Sequence, residues 1–260
     1  MPVSQAIEIV AHRGASEDEP EHSLAAYLLA VKQGADAIEC DVRLTRDGQL
    51  VCHHDRNINR TSTGRAVVSA STLDELEQHD FSMGRAGDDP SMHVMRSKVL
   101  TLRSLIEAML EASPRIGFAI ETKHPVRYGG DVEVALTRLL ASYGLLPGDS
   151  EPSRVRLMSF SRSAVMRMQE LAPHAPTVFL MDPVWWPYRD GSLPPGVPIA
   201  GPSIDFLRKR PEYVEQVHER GGKVHVWVVD EEDDVLLCRD LNVDAIITNR
   251  PARVREWLNR

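Results

Sequence analysis

Two short stretches of this chain carry groups able to do chemistry on a charged substrate: Ala11-His12-Arg13-Gly14-Ala15, and Ile38-Glu39-Cys40-Asp41-Val42 followed by His54-Asp55. Imidazoles move protons near neutral pH, carboxylates hold hard cations, and a guanidinium neutralises an anion. That combination suits hydrolysis at an anionic phosphate better than redox chemistry. Each group stands at or just after a short apolar run. Barrels and open α/β sheets keep their reactive groups at such strand ends, so the cluster reads as an active site.

Strand periodicity sharpens the reading. Residues two apart share a face, so Glu39 and Asp41 point together into the barrel while Cys40 faces the outer helices. The stretch Glu121-Thr122-Lys123 repeats the pattern on the next strand of the barrel. Three carboxylates converging in one cavity repel one another unless a cation sits between them, and oxygen-only donors favour Mg²⁺ or Ca²⁺ over zinc. Singly, each carboxylate could be half of a structural ion pair, and His12 and His54 could be satisfied core histidines. The repeat on two strands, and the placement of both histidines at strand or hairpin ends beside Arg13 and Asp55, favour function.

The elements that must position these groups alternate along the whole chain, the mark of βα units around a parallel sheet. Apolar runs predict eight strands, near residues 7–11, 36–42, 116–122, 154–160, 176–181, 198–204, 223–229 and 244–248. Leu24, Tyr27, Leu28 and Val31 keep helical spacing up to Gly34, and Leu102, Leu105, Ile106 and Met109 do so before Pro114. A ninth run, Leu50-Val51-Cys52-His53, follows the tight-turn signal Asp47-Gly48 too closely for a parallel crossover. It is expected as the antiparallel arm of a hairpin on the second strand. Residues from about 55 to 98 then break the rhythm as an insertion over the barrel mouth, with one short helix at Leu73 and Leu76 and a loop at Gly84–Pro90. The expected fold is a single TIM (β/α)₈ barrel domain over residues 1–260 with an inserted cap.

Bulk properties exclude other classes. The formal net charge is -8, with no block of like cations, which argues against a nucleic-acid or anionic-membrane surface. No apolar run reaches the roughly 18 residues of a membrane span, and the first residues carry no secretion signal. The three cysteines, Cys40, Cys52 and Cys238, are odd in number and lie in apolar segments, as expected of reduced thiols in a cytoplasmic protein.

The residues match a known pattern: the chain resembles the glycerophosphodiester phosphodiesterase family. From Ala11 to Gly64 it shows His12-Arg13-Gly14, Pro20-Glu21, Gly34-Ala35-Asp36, Glu39, Asp41, Thr45, Asp47-Gly48, His54-Asp55 and Arg60-Thr61 in order, and further on Glu121-Thr122-Lys123, Ser159-Phe160 and Trp227. The resemblance implies a TIM barrel with a cap and metal-dependent hydrolysis of glycerophosphodiesters to sn-glycerol 3-phosphate and an alcohol. Glu39, Asp41 and Glu121 would be ligands of one divalent ion, Mg²⁺ or Ca²⁺ with Mn²⁺ as a substitute, and His12 and His54 acid and base. Arg13 and Lys123 are expected on the phosphate, with Trp227, Phe160 and Tyr128 as candidates for the pocket wall.

Two departures stand out. His22-Ser23 replaces a usual Asn-Thr, and Asn249 replaces a usual Asp before Pro251; neither is expected among the metal or histidine groups, and Asn249 is expected only to close the barrel. Trp185-Trp186 could wall a pocket or form an ordinary packed patch. The acidic run Asp230–Asp234 suits a helix start. Rival readings are a barrel lyase forming a cyclic phosphate, a Mg²⁺-dependent enolising enzyme, and a non-catalytic binding barrel, whose mark would be loss of a histidine or carboxylate.

Overall fold

Ile9-Val10-Ala11 and Phe118-Ala119-Ile120 are apolar at consecutive positions, as strands covered on both faces must be, and all six residues are buried. The computed structural model, which describes residues 6–85, 90–148 and 153–260, gathers eight such strands into one closed parallel barrel. The described strands are β1 (Glu8–His12), β2 (Ala37–Leu44), β3 (Leu50–Cys52), β4 (Gly117–Thr122), β5 (Val155–Ser159), β6 (Thr177–Met181), β7 (Ile199–Pro202), β8 (Lys223–Val226) and β9 (Ala245–Thr248), and all but β3 form the barrel. Closure comes from β1, which pairs in parallel with β2 on one side and β9 on the other. The barrel strands match the predicted runs to within three residues at either end.

β3 stands apart. It pairs antiparallel with the end of β2, Val42 opposite Cys52, which confirms the hairpin. Helices α1 (Leu24–Lys32), α2 (Leu73–Leu76), α3 (Pro90–Ser97), α4 (Leu102–Ala112), α5 (Asp131–Ser142), α6 (Arg162–Leu171), α7 (Ile204–Lys209), α8 (Tyr213–Glu219), α9 (Glu232–Asp240) and α10 (Pro251–Leu258), with short 3-10 turns at Val68–Ala70 and Trp186–Tyr188, complete the described elements. Ser23 caps α1 by accepting a hydrogen bond from the Ala26 amide at 3.1 Å. The acidic residues Glu232, Asp233 and Asp234 occupy the first turn of α9, as expected.

Residues of the insertion, Ile58, Val68, Leu76 and Phe81, form a small separate core with Val51 of β3 and Val99. The insertion's described residues hold two α-helices and a 3-10 turn where one short helix was expected. A capping box between Thr72 and Glu75 starts the four-residue α2, while α3 begins at Pro90, a residue compatible with a first helical turn. Arg96 of α3 ties the cap to the loop after β1 through two 2.6 Å hydrogen bonds to Glu19. Residues 86–89 of the expected Gly84–Pro90 loop lie outside the described residues, as do residues 1–5.

Inside the barrel the side chains form levels. Val10, Ala119, Met158, Val178 and Ile247 fill the middle. Two residues earlier on their strands, Glu8 and Arg156 meet across the floor in a bidentate pair at 2.6 and 2.9 Å. Two residues later, His12 and Glu121 stand at the opposite end, where a parallel barrel keeps its reactive groups.

Candidate active site

The loop leaving β1 is shaped by close approach. Gly14 has φ +86°, and a Cβ there would lie 2.6–2.8 Å from atoms of Ala26 on α1. Only glycine fits that contact. Arg13 and His22 both hold left-handed backbone, φ 57° and 60°, a conformation costly for residues with a Cβ. Their backbones are joined by the His22 N–H donating to the Arg13 carbonyl at 3.1 Å. The strain has a destination, since both side chains reach Asp41.

Asp41 is the most contacted carboxylate of the site. Its Oδ2 accepts a hydrogen bond from His22 Nε2 at 3.0 Å, and its Oδ1 lies 3.1 Å from Lys123 Nζ. Arg13 Nε stands 3.0 Å from Oδ2, an ion pair not aligned as a hydrogen bond. Lys123 also reaches Glu121 at 2.8 Å, and the Arg13 amide donates to Glu39 Oε2 at 3.0 Å. Glu39, Asp41 and Glu121 are all buried, with one oxygen from each within 4.8 Å of the others.

Three buried carboxylates against two cations leave negative charge unmatched. Burial works against ionisation of Asp41, yet Lys123, the His22 hydrogen bond and Arg13 hold its carboxyl well below the usual range. Burial together with the Asp41 charge pushes Glu121 up to about 8 and Glu39 well above the ordinary carboxylate range. An all-oxygen cluster short of positive charge fits a hard divalent cation.

Both predicted histidines use Nδ1 to bind a neighbour. His54 Nδ1 lies 2.7 Å from Asp55 Oδ1, and His12 Nδ1 lies 2.8 Å from Asn249 Oδ1. Desolvation, reinforced by Arg13, pushes His12 down to about 3, and desolvation lowers His54 as well. Asp55 continues into a chain of ion pairs across the cap, through Arg60 at 2.7 Å, Glu21, and Arg13 at 3.0 Å from Glu21. The His54 carbonyl accepts from Arg43 Nε and Nη2 at 3.0 and 2.8 Å. The cap thus holds one imidazole and the barrel the other.

His12, Arg13, Glu39, His54, Glu121 and Lys123 line one cavity of about 280 Å³, with Asp41 behind them. Its apolar wall includes Met158, Leu180, Phe160 and Trp227, the last two packed edge to face at 5.3 Å. Tyr128 is not there. Its hydroxyl donates to the Ser69 carbonyl at 2.7 Å, and its ring lines a separate, larger cavity of about 410 Å³ between β2 and the cap. The loop after β4 carries it outward, a direction strand spacing could not reveal. Trp185 and Trp186 are 54% and 82% exposed and line neither cavity.

Three positions were missed or misjudged from the sequence. His22 is buried in the cluster rather than peripheral to it. Asp182 lines the cavity, and its place two residues after Leu180 is the same strand-end spacing that revealed Lys123 after Glu121. Asn249, expected to stand apart from the histidines, touches His12 directly.

The comparisons with known proteins agree with this fold. Residues 12–253 match the model of the glycerophosphoryl diester phosphodiesterase family. A Mycobacterium tuberculosis (strain H37Rv) protein named probable glycerophosphodiester phosphodiesterase 1 is 42% identical over 251 residues, covering 96% of this chain and 92% of its own. A Bacillus subtilis (strain 168) glycerophosphodiester phosphodiesterase is 31% identical, covering 93% and 83%. Among solved structures, an Oleispira antarctica phosphodiesterase in complex with the product sn-glycerol-3-phosphate superposes with TM-score 0.80 at 23% identity, covering 97% of each chain. With nearly its whole length matched, this chain belongs to the glycerophosphoryl diester phosphodiesterase family.

Proposed function

We propose that this phosphodiesterase cleaves glycerophosphodiesters to sn-glycerol 3-phosphate and a free alcohol, using one Mg²⁺ or Ca²⁺ ion, with Mn²⁺ as a substitute. The observation that carries the reading is the convergence of Glu39, Asp41 and Glu121 within 4.8 Å, beside a cavity lined by two imidazoles and two cations. Glu39, Asp41 and Glu121 would hold the cation, which would supply Lewis-acid charge for the phosphoryl oxygens. Arg13 and Lys123 orient the same anion. Charge balance supports this: three carboxylates, two side-chain cations and a divalent ion leave one positive charge, the complement of a phosphodiester. The product held by the Oleispira relative supports the glycerol phosphate half of the substrate. Three free buried cysteines support a reducing, cytoplasmic setting.

The substrate carries its own nucleophile at glycerol C2. One imidazole takes the proton of that hydroxyl as its oxygen bonds to phosphorus, and the other protonates the departing alcohol oxygen as its P–O bond breaks. Water then opens the cyclic phosphate with the two roles reversed. A retained cyclic phosphate would instead mark the lyase reading.

Release of sn-glycerol 3-phosphate from a panel of glycerophosphodiesters, coupled to glycerol-phosphate dehydrogenase with Mg²⁺, Mn²⁺ or Ca²⁺, tests the activity. An analogue lacking only the C2 hydroxyl should bind yet turn over at least about a hundredfold more slowly, roughly 2.7 kcal/mol in barrier. Near-normal turnover would exclude the cyclic route.

A further inference from the structure

We infer that Asn249 and Asp230 form a positioning pair that locks the tautomer of His12 and so makes His12 the proton acceptor of the first step. The inference rests on the acid–base reading above and deepens it.

Asp230 sits just before α9 and turns its carboxylate onto the end of β9. Its Oδ1 accepts from Thr248 Oγ1 and from the Asn249 amide, both at 2.8 Å, and its Oδ2 accepts from Asn249 Nδ2 at 2.5 Å. A carboxylate only accepts. If the Asn249 amide were reversed, two acceptor oxygens would face each other at that 2.5 Å contact. Asp230 therefore fixes which end of the amide faces His12. That end is Oδ1, 2.8 Å from His12 Nδ1, and a carbonyl oxygen requires a donor. Neutral His12 must carry its proton on Nδ1 and present an unprotonated Nε2 for the reaction.

Ser16 stands beside the pair, with one O–H proton to give to either of two acceptors. Its hydroxyl lies 2.7 Å from Asn249 Oδ1 and 2.8 Å from the His12 carbonyl and can donate to one of them at a time. The contrast with His54 gives the lock a purpose. His54 Nδ1 faces the carboxylate of Asp55, which stabilises an imidazolium, whereas His12 faces a neutral amide that stabilises the ring without adding negative charge. Asn249 is thus the reason the two histidines are unequal, with His12 the base and His54 the acid when the leaving alcohol departs.

¹⁵N NMR of histidine-labelled protein without substrate reads the tautomer directly, with His12→Gln identifying the resonances. The wild type should show a pyrrole-type Nδ1 and a pyridine-type Nε2 at His12. Asn249→Leu should mix or reverse that pattern and lower kcat about a hundredfold, with KM within about threefold. Asp230→Asn should release the amide and fall between. The double variant Asp230→Asn/Asn249→Asp puts the carboxylate against His12 and the amide behind it, so it should restore the Nδ1–H tautomer of neutral His12 but only part of kcat, because the carboxylate also stabilises the imidazolium. A role in barrel stability alone would move melting temperature without moving the tautomer. A wild-type His12 protonated on Nε2, or Asn249→Leu with unchanged tautomer and kcat, would overturn the assignment. Absence of diesterase turnover in the wild type would overturn the activity reading instead, while the tautomer series still decides the lock.

Discussion

The two ends of this barrel both hold charged side chains, but on different terms. At the floor, Glu8 and Arg156 pair one to one, bidentate, with His225 buried nearby and pushed well below its ordinary pKa by burial and by Arg156. At the mouth, three carboxylates share two cations, and two of the three carboxyls are driven toward protonation. A balanced pair asks for nothing more, and its net worth to stability is small. An unbalanced cluster costs stability unless something completes it. The difference separates structural charge from charge kept for binding, even though both are enclosed by the same eight strands.

Breaking the mouth should have the largest effect. Glu121→Gln removes one oxygen donor and one negative charge, so divalent-cation affinity by calorimetry should fall at least about a hundredfold and activity with it. Unchanged cation binding would mean that Glu121 is no ligand.

Removing the ion should make the imbalance visible as pH dependence. The Glu121 carboxyl is raised from its ordinary 4.5 to about 8 in the folded chain. A raised folded-state pKa contributes stability that is fully present below the unfolded value and lost as pH rises through the folded one. The chelated protein should therefore lose thermal stability between about pH 4.5 and pH 8, as protonation no longer relieves the cluster. A saturating divalent cation should flatten that slope, so the gap between the two melting curves should widen with pH. Parallel curves would count against a cation among these carboxylates.

The floor should give the smallest effect. Glu8→Gln leaves Arg156 without its counter-charge and should cost about 1–2 kcal/mol, less than a fully buried pair because Glu8 is 29% exposed. Glu8→Leu/Arg156→Met should recover most of that loss, with kcat within about twofold of the wild type. Loss of activity in the double variant would show that the floor and the mouth are coupled.

Much of this molecule was legible in its sequence because strand periodicity is local. Runs buried on both faces announced the barrel, Asp47-Gly48 announced the hairpin to β3, and i, i+2 spacing placed Glu39 with Asp41 and Glu121 with Lys123. The same rule applied to Leu180 and Asp182 would have added the latter. The second cap helix was not legible because it starts at Pro90, the last residue of a stretch whose composition reads as loop.

What the sequence by itself determined, then, was the set of groups carried at strand ends, since a strand's alternation settles which side chains share its inner face. Partnerships across the closed barrel were decided only by tertiary structure. His22 reaches Asp41 because Arg13 and His22 turn through left-handed backbone against α1. Tyr128 leaves the site because the loop after β4 carries it to Ser69. Asn249 meets His12 from 237 positions away because β9 lies beside β1, and closure of a barrel joins its last strand to its first.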